Sequence, residues 1–390
     1  MKITGVTTRV NKMQLHDRFG GQSTPPATFP GSDYYFESAW SEVYSRNVES
    51  LFVRVETDEG LHGWGESQAP IVPEVAQTII DRLLGPMLIG RDPLETDRLF
   101  ELMQKSMSVR GHTTGFMLDA IAGVDIALWD IKGKAAGQPV ARLLERTEAP
   151  VRARLPLYVS GLRATSIEGK AEFAAECFSA GYAAVKVFLG HGVEEDLALA
   201  RALRERVGPG KRILADTLWS YGLADALRLG KAFEDLGFEW IEAPVAVEDV
   251  DGHATLAQSL EMAVAGGEAL RSQHQFAHWI GKQAMDIVQP DVGRCGITGA
   301  QRIAALAREN GLPVAFHVGV CLGIVMAATW QVAAATPNFH IQEHQPPPFE
   351  LSNGFLTEPL SVARGEAIVP DRPGLGVDID VEALGRLSRG

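Results

Sequence analysis

Beyond residue 150 the hydrophobic and polar positions settle into a repeating pattern. A short apolar run ends at one polar residue, and a stretch with helical spacing follows. Ile213-Leu-Ala ends at Asp216, Phe238-Glu-Trp-Ile at Glu242, and Met262-Ala-Val-Ala-Gly-Gly at Glu268. Met285-Asp-Ile-Val-Gln-Pro ends at Asp291, Pro313-Val-Ala-Phe at His317, and Phe339-His-Ile-Gln at Glu343. From Asp216 onward these residues stand 26, 26, 23, 26 and 26 apart. Leu155 to Val159 and Ala184 to Phe188 read as two earlier strands. The predicted strands are therefore 155–159, 184–188, 212–216, 238–242, 262–266, 286–289, 313–317 and 339–343. Val193, Leu197, Ala200, Leu203 and Val207 form one of the helical stripes between them, stopped by Gly208. One βα unit used many times predicts an α/β barrel. Its strand ends converge on one face, where such barrels keep their active sites.

The first part of the chain has a different rhythm. Residues 1–15 read as a strand. Residues 19–36 are rich in Gly, Pro and aromatics and are expected to form a lid loop. Ser50 to Glu56 alternates as a strand, Thr57-Asp-Glu-Gly60 turns it, and Leu61 to Glu66 returns. His62 and Glu66 read as polar edge residues. Residues 74–110 carry two helical patterns, the first broken near Gly85-Pro86. Met117, Ile121, Val124, Leu128, Ile131 and Ala135 then make a buried helical stripe, closed by Gly137 and Pro139. Asp125 and Lys132, on or beside that stripe with Trp129, are expected in an interface salt bridge. After Gln345-Pro-Pro-Pro the βα rhythm stops, and the tail is expected to return to the N-terminal domain. These boundaries divide the chain into a first domain at 1–140, a barrel at 141–350 and a returning segment at 351–390.

Composition narrows the function. The chain has 390 residues, 22% charged and 46% hydrophobic, which suits a soluble barrel with a second domain. A net charge of −13 argues against nucleic acid as a partner. No apolar run approaches a bilayer span, so no membrane is expected. Three scattered cysteines, Cys177, Cys295 and Cys321, read as reduced thiols of a cytoplasmic protein, with Cys321 as core filler.

One segment is specific. Ala120-Ile-Ala-Gly-Val-Asp-Ile-Ala-Leu-Trp-Asp-Ile-Lys-Gly-Lys134, continuing to Pro139-Val-Ala-Arg-Leu-Leu144, resembles the first signature of the mandelate racemase/muconate lactonizing enzyme family of the enolase superfamily. The resemblance runs on through Pro373-Gly-Leu-Gly-Val377. It implies an α+β capping domain over a modified TIM barrel of (β/α)7β type. It also implies a Mg²⁺ ion held by Asp216, Glu242 and Glu268, a His317–Asp291 dyad as base, and Glu343 as the polar group of the last strand. The placing of His and Asp is most similar to the mandelate racemase subgroup, which includes sugar-acid dehydratases. A small-molecule carboxylate is the expected partner, in a homo-oligomer from dimer to octamer.

The residue types suit that chemistry. Removing a proton α to a carboxylate builds a dianionic enediolate, which a hard cation with oxygen ligands offsets. Asp291 would fix the tautomer of His317. Glu343 could donate to the substrate carboxylate. His340-Ile-Gln-Glu-His344 spells a zinc-protease pattern, but Pro346-Pro-Pro348 follows and a continuing helix is excluded. Three positions depart from the family. Strand two reads Lys186-Val-Phe188 where Lys-x-Lys is common, Leu218 replaces a polar residue, and Ala243 follows Glu242. Lys186 and Phe188 share a face, with Lys186 one layer deeper.

Racemisation needs a base on each face of the substrate, and Phe188 removes one. The expected reaction is therefore dehydration of a sugar acid to a 2-keto-3-deoxy acid. Arg18, Tyr34, His191, Trp219 and Arg294 are the candidate substrate-binding residues. An epimerase or lactone cycloisomerase using Lys186 or His191 as second base remains open. So does a metal-binding member without catalysis.

Overall fold

The computed structural model describes residues 1–14, 29–37, 40, 42–145 and 150–388. The first domain pairs β1 (Ile3–Gln14), β4 (Asn47–Thr57) and β5 (His62–Ser67) in an antiparallel sheet of that order. The hairpin of β2 (Tyr34–Glu37) and β3 (Glu42–Ser45) stands apart from it. Of the expected lid, residues 29–36 run into β2, and 19–28 lie outside the described residues. Strand β4 is almost entirely buried because its two faces serve two cores. Leu51, Val53 and Val55 pack within the cap, while Val48 and Phe52 pack with barrel residues. This is period-two alternation with both faces covered.

The cap helices are α1 (Pro73–Ile79), α2 (Gly85–Leu88), α3 (Thr96–Ser108) and α4 (Phe116–Ala136). The helix expected to break at Gly85-Pro86 instead continues to Leu88. Pro86 brings no N–H, and a π turn over Ile80–Leu84 absorbs it, with Gly85 N–H donating to Ile80 O. Helix α4 is buried nearly all round, with the cap sheet on one side and the barrel on the other. Its contact with β5 is backbone on backbone: a Cβ on Gly65 would lie 1.8 Å from Gly123 O. The salt bridge expected between Asp125 and Lys132 is not formed. Asp125 accepts from Thr298 N at 2.9 Å and from Thr298 Oγ1 at 2.7 Å, while Lys132 donates to Thr96 at 3.0 Å. Asp125 thereby caps a barrel helix that restarts after a kink at Gly296.

After α5 (Val140–Leu144) the barrel begins with β6 (Arg154–Ser160), α6 (Ile167–Ser179), β7 (Ala184–Phe188) and α7 (Val193–Val207). It continues with β8 (Arg212–Asp216), α8 (Leu223–Asp235), β9 (Trp240–Glu242), α9 (Val250–Ser259), β10 (Ala263–Gly266) and α10 (Gln273–Gly281). Then come β11 (Ile287–Val288), α11 (Val292–Glu309), α12 (Gly323–Ala335) and β12 (Gln342–His344). Strands β6 to β11 pair in parallel, and β12 closes the ring by pairing with β6. The seventh strand, expected at 313–317, is not a ladder. It joins through single bridges, Val288 to Val314, Val314 to Phe339 and Asp291 to His317. Pro313 cannot donate at its start. The fold is a modified (β/α)7β barrel under an α+β cap.

The tail forms α13 (Pro346–Asn353), the hairpin β13 (Ser361–Ala363) and β14 (Glu366–Ile368), and α14 (Val381–Leu387). Strand β14 pairs with the first residues of β6, at the end of the barrel away from the polar strand ends. Leu375 N–H reaches Asp130 on α4 at 2.9 Å. Among the described residues no helix is long and apolar enough to cross a membrane.

Candidate active site

The barrel lumen is layered. Tyr158, Ala184, Leu214, Trp240, Ala265, Ile287, Ala315 and Ile341 form one buried apolar cluster, one residue from each strand. Two residues further along each strand stand Ser160, Lys186, Asp216, Glu242, Gly267, Gln289, His317 and Glu343. Side chains two apart share a strand face, so a polar layer lies directly on the apolar one. The fifth strand breaks the rule. Gly267 has φ +124°, and a Cβ there would lie 2.6 Å from Phe276. Glu268 takes its place from the next position.

Lys186 sits inside this layer, 1% exposed at its side chain. Its Nζ lies 3.0 Å from Asp216 Oδ2, 2.7 Å from Glu242 Oε1 and 3.1 Å from Glu343 Oε1. Burial works against its charge, but the three carboxylates raise its pKa well above the ordinary lysine value. Lys186 is thus engaged by three acids at once. Burial pushes the Asp216 carboxyl well above the usual range and Glu242 upward too, against the pull of Lys186. Glu343 also accepts from Val318 N–H at 2.8 Å. Its expected donation to a substrate carboxylate is not tested by these contacts.

His317 bridges two acids. Nδ1 lies 2.7 Å from Asp291 Oδ2 and Nε2 lies 2.8 Å from Glu268 Oε2. Burial disfavours the imidazolium, yet Glu268 and Glu343 by charge, and Asp291 by hydrogen bond, raise its pKa well above the ordinary value. For Glu268, burial disfavours the ionised carboxylate, but His317 outweighs it and holds the group well below the usual carboxylate range. Trp219 Nε1 donates to the other oxygen of Glu268 at 3.0 Å. The turn that aims this indole is strained, with Leu218 at φ 50° and Trp219 at φ 59°. Trp219, expected as a substrate contact, also holds a carboxylate at the strand ends.

The other candidates are placed as follows. Arg294 donates to Glu268 O at 2.6 Å and to Gln68 Oε1 at 3.1 Å, and stands 4.0 Å from Asp291. Tyr34 is bonded within the cap, donating to Glu49 at 2.9 Å and accepting from Val72 N–H at 3.2 Å. His191 is exposed, with its ring 6.0 Å from that of Trp40. Arg18 lies outside the described residues. His340 lies 2.7 Å from Glu239, and His344 stacks on Tyr182, in and beside a strand instead of a helix. Glu66, read as an edge residue, is fully buried. Trp40, Gln68 and Glu66 come from the cap and were not singled out as site residues. The polar run Glu66-Ser-Gln68 at the end of a strand was the available signal for Glu66 and Gln68. The two-residue offset from the apolar cluster could likewise have found Gln289 and Ser160.

Among the described residues no group of three or more His, Cys, Asp or Glu side chains is gathered to enclose a metal. The expected trio is split: Asp216 and Glu242 turn to Lys186, and Glu268 to His317 and Trp219. The donor chemistry nevertheless fits a hard divalent cation. The three ends of β8, β9 and β10 offer only oxygen. Around them five buried acids, Asp216, Glu242, Glu268, Asp291 and Glu343, face three basic groups, Lys186, Arg294 and His317. Acidic groups thus outnumber basic ones there, as a cation site requires.

Comparison with known proteins places this geometry. Residues 42–145 match the mandelate racemase/muconate lactonizing enzyme N-terminal domain, and residues 170–384 match the enolase C-terminal domain-like family. The chain is 34% identical to D-galactarolactone cycloisomerase of Agrobacterium fabrum, over 98% of each chain. It is 33% identical to arabinonate dehydratase of Saccharolobus solfataricus, over 85% of this chain and 88% of that one. Among solved structures, a racemase from Streptomyces coelicolor A3(2) with bound magnesium superimposes with a TM-score of 0.85, at 26% identity, covering 99% of this chain and all of the other.

Proposed function

The chain belongs to the mandelate racemase/muconate lactonizing enzyme family of the enolase superfamily, and on that premise we propose that it is a Mg²⁺-dependent sugar-acid dehydratase. The substrate is an aldonate or aldarate and the product a 2-keto-3-deoxy acid. Asp216, Glu242 and Glu268 would hold the metal, which when bound would offset the second negative charge of the enediolate.

His317 would take the α-proton through Nε2, which must first release its contact with Glu268 and any proton shared there, while Nδ1 stays with Asp291. Asp291 accepts from Nδ1–H, which fixes the tautomer and offsets the imidazolium. The C–H electrons pass into the enediolate, and its collapse expels the β-hydroxyl. His317 returns the proton to that hydroxyl, and water leaves. Tautomerisation of the resulting enol gives the 2-keto acid.

One observation carries this reading: in the polar layer, among the described residues, His317 is the one imidazole. His317 stands in its dyad, Lys186 is held by three carboxylates, and the position beyond it is Phe188. β-Elimination can proceed with one base, whereas racemisation needs two. A lactone cycloisomerase is the second reading, favoured by the near full-length likeness to D-galactarolactone cycloisomerase. It would use the same enolate, with a ring oxygen leaving in place of water.

The test is a library of aldonates, aldarates and their lactones, incubated with the protein and Mg²⁺ and read by NMR and mass. Loss of 18 mass units with a 2-keto signal supports dehydration. An isomeric product from a lactone supports the second reading. Bound metal with no conversion and no α-deuterium exchange would leave a binding protein instead.

A further inference from the structure

The cap reaches the polar layer through the end of β5, Glu66-Ser67-Gln68. Gln68 is 2% exposed. Its side-chain N–H₂ donates to Gly319 O, on the loop that follows His317. Its side-chain oxygen accepts from Arg294 Nε at 3.1 Å. Its backbone N–H donates to Gly293 O at 3.0 Å, two residues past Asp291. Arg294 in turn donates to the backbone of Glu268 and stands beside Asp291. Glu66 fixes the far end of the His317 loop, accepting from Leu322 N at 2.8 Å and Val325 N at 3.0 Å.

The chemistry of the partners dictates which way the amide faces. Arg294 can only donate, and Gly319 O can only accept. A primary amide is the side chain that answers both. A carboxylate of the same length would keep Arg294 and repel Gly319 O, and an aliphatic group would serve neither. There is no slack in the contact. A Cβ on Gly319 would lie 2.5 Å from Gln68 Nε2 and 2.6 Å from His317 Cε1.

We propose that Gln68 is the positioning residue of the His317–Asp291 dyad, a strut from the cap that holds the His317 loop at one end and Arg294 at the other. It acts through His317, and so the proposal rests on the assignment of His317 as base. A displacement of about 1 Å at such a group can cost about 10²-fold in rate.

The test has one arm that needs no substrate. In the full-length protein, the imidazole N–H proton shared with Asp291 should give a far-downfield NMR resonance, identified by its loss in His317→Asn. In folded Gln68→Leu that resonance should move upfield by about 1 ppm or more, or broaden away, as the dyad loosens. Gln68→Glu, which keeps the acceptor for Arg294, should do the same, and it carries the readout should the leucine variant not fold. A resonance unchanged in these folded variants overturns the proposal.

The second arm uses the acid found active in the library screen. Gln68→Leu should lower kcat about 10- to 100-fold and raise the primary deuterium isotope effect from α-deuterated substrate. A smaller fraction of active protein would lower kcat alone, so an unchanged isotope effect also overturns the proposal. If His317→Asn keeps α-exchange, the base assignment fails instead, and the resonance still decides whether Gln68 holds the dyad.

Discussion

Across the barrel mouth, the side formed by β11 and the 314–317 stretch differs from the side formed by the end of β7. On the first side the groups around the base hold one another: His317 on Asp291, Arg294 on Glu268, Gln68 on Arg294 and on Gly319. On the second side the cap sends an aromatic residue. Trp40 donates to Leu189 O at 3.0 Å, and its ring meets Phe188 edge-on at 6.4 Å. The β7 cation, Lys186, is held below by three acids. On the proposed reading, proton chemistry belongs to the first side and shape to the second. A site so divided would remove a proton and expel a leaving group, and among the described residues of its polar layer no second imidazole stands across from His317.

The largest effect should come from removing the base. His317→Asn should lower both turnover and exchange of the α-hydrogen with deuterium oxide by about 10³- to 10⁴-fold. Exchange persisting near the wild-type rate, read by NMR, would erase the contrast between the two sides. Next comes the metal. Chelation, or Glu242→Gln in a protein still folded by circular dichroism, should cost at least about 10²-fold, with Mg²⁺ restoring only the chelated wild type. Full activity after exhaustive chelation would remove the metal from the scheme.

A smaller effect tests the apolar side directly. The wild type should label a single epimer without inverting it. Phe188→Lys places a nitrogen base there, near Lys186, and like charge should lower its pKa toward neutrality. A trace of epimerised substrate should appear, with elimination reduced about 10-fold because the wall changes shape. Epimerised substrate from the wild type would mean that another group serves that side.

The smallest effect concerns stability on the polar side. Burial raises the Glu66 carboxyl to about 7. Its value in the unfolded chain is about 4.3. The folded state therefore binds the proton more tightly, and the stability this gives is fully present below about pH 4.3 and lost as the pH rises through about 7. Between pH 4.5 and 8 the wild type should lose up to roughly 3 kcal/mol relative to Glu66→Gln in urea titrations. Parallel stability curves for the two proteins would show that Glu66 is ionised throughout.

Much of this architecture was written in local pattern. A βα repeat of near-constant total length sets the spacing from Asp216 to Glu343, so the strand ends and their acids could be read by counting. The alternation of Lys186 and Phe188 on one face followed from the period of a strand. Pairing across the mouth did not follow. That Lys186 would gather three acids, that Glu268 would turn to His317, and that Trp219 would serve Glu268 depends on how the ring of strands closes and staggers. The contacts that tie the cap to the barrel were further still from view. Gln68 meets Gly319 across 251 residues, Glu66 meets Leu322 across 256, and Trp40 meets Leu189 across 149. Periodicity speaks for residues a few places apart, because one backbone geometry links them. Partners so distant are chosen only when two domains pack, and every buried donor must then find the acceptor that the packing brings to it.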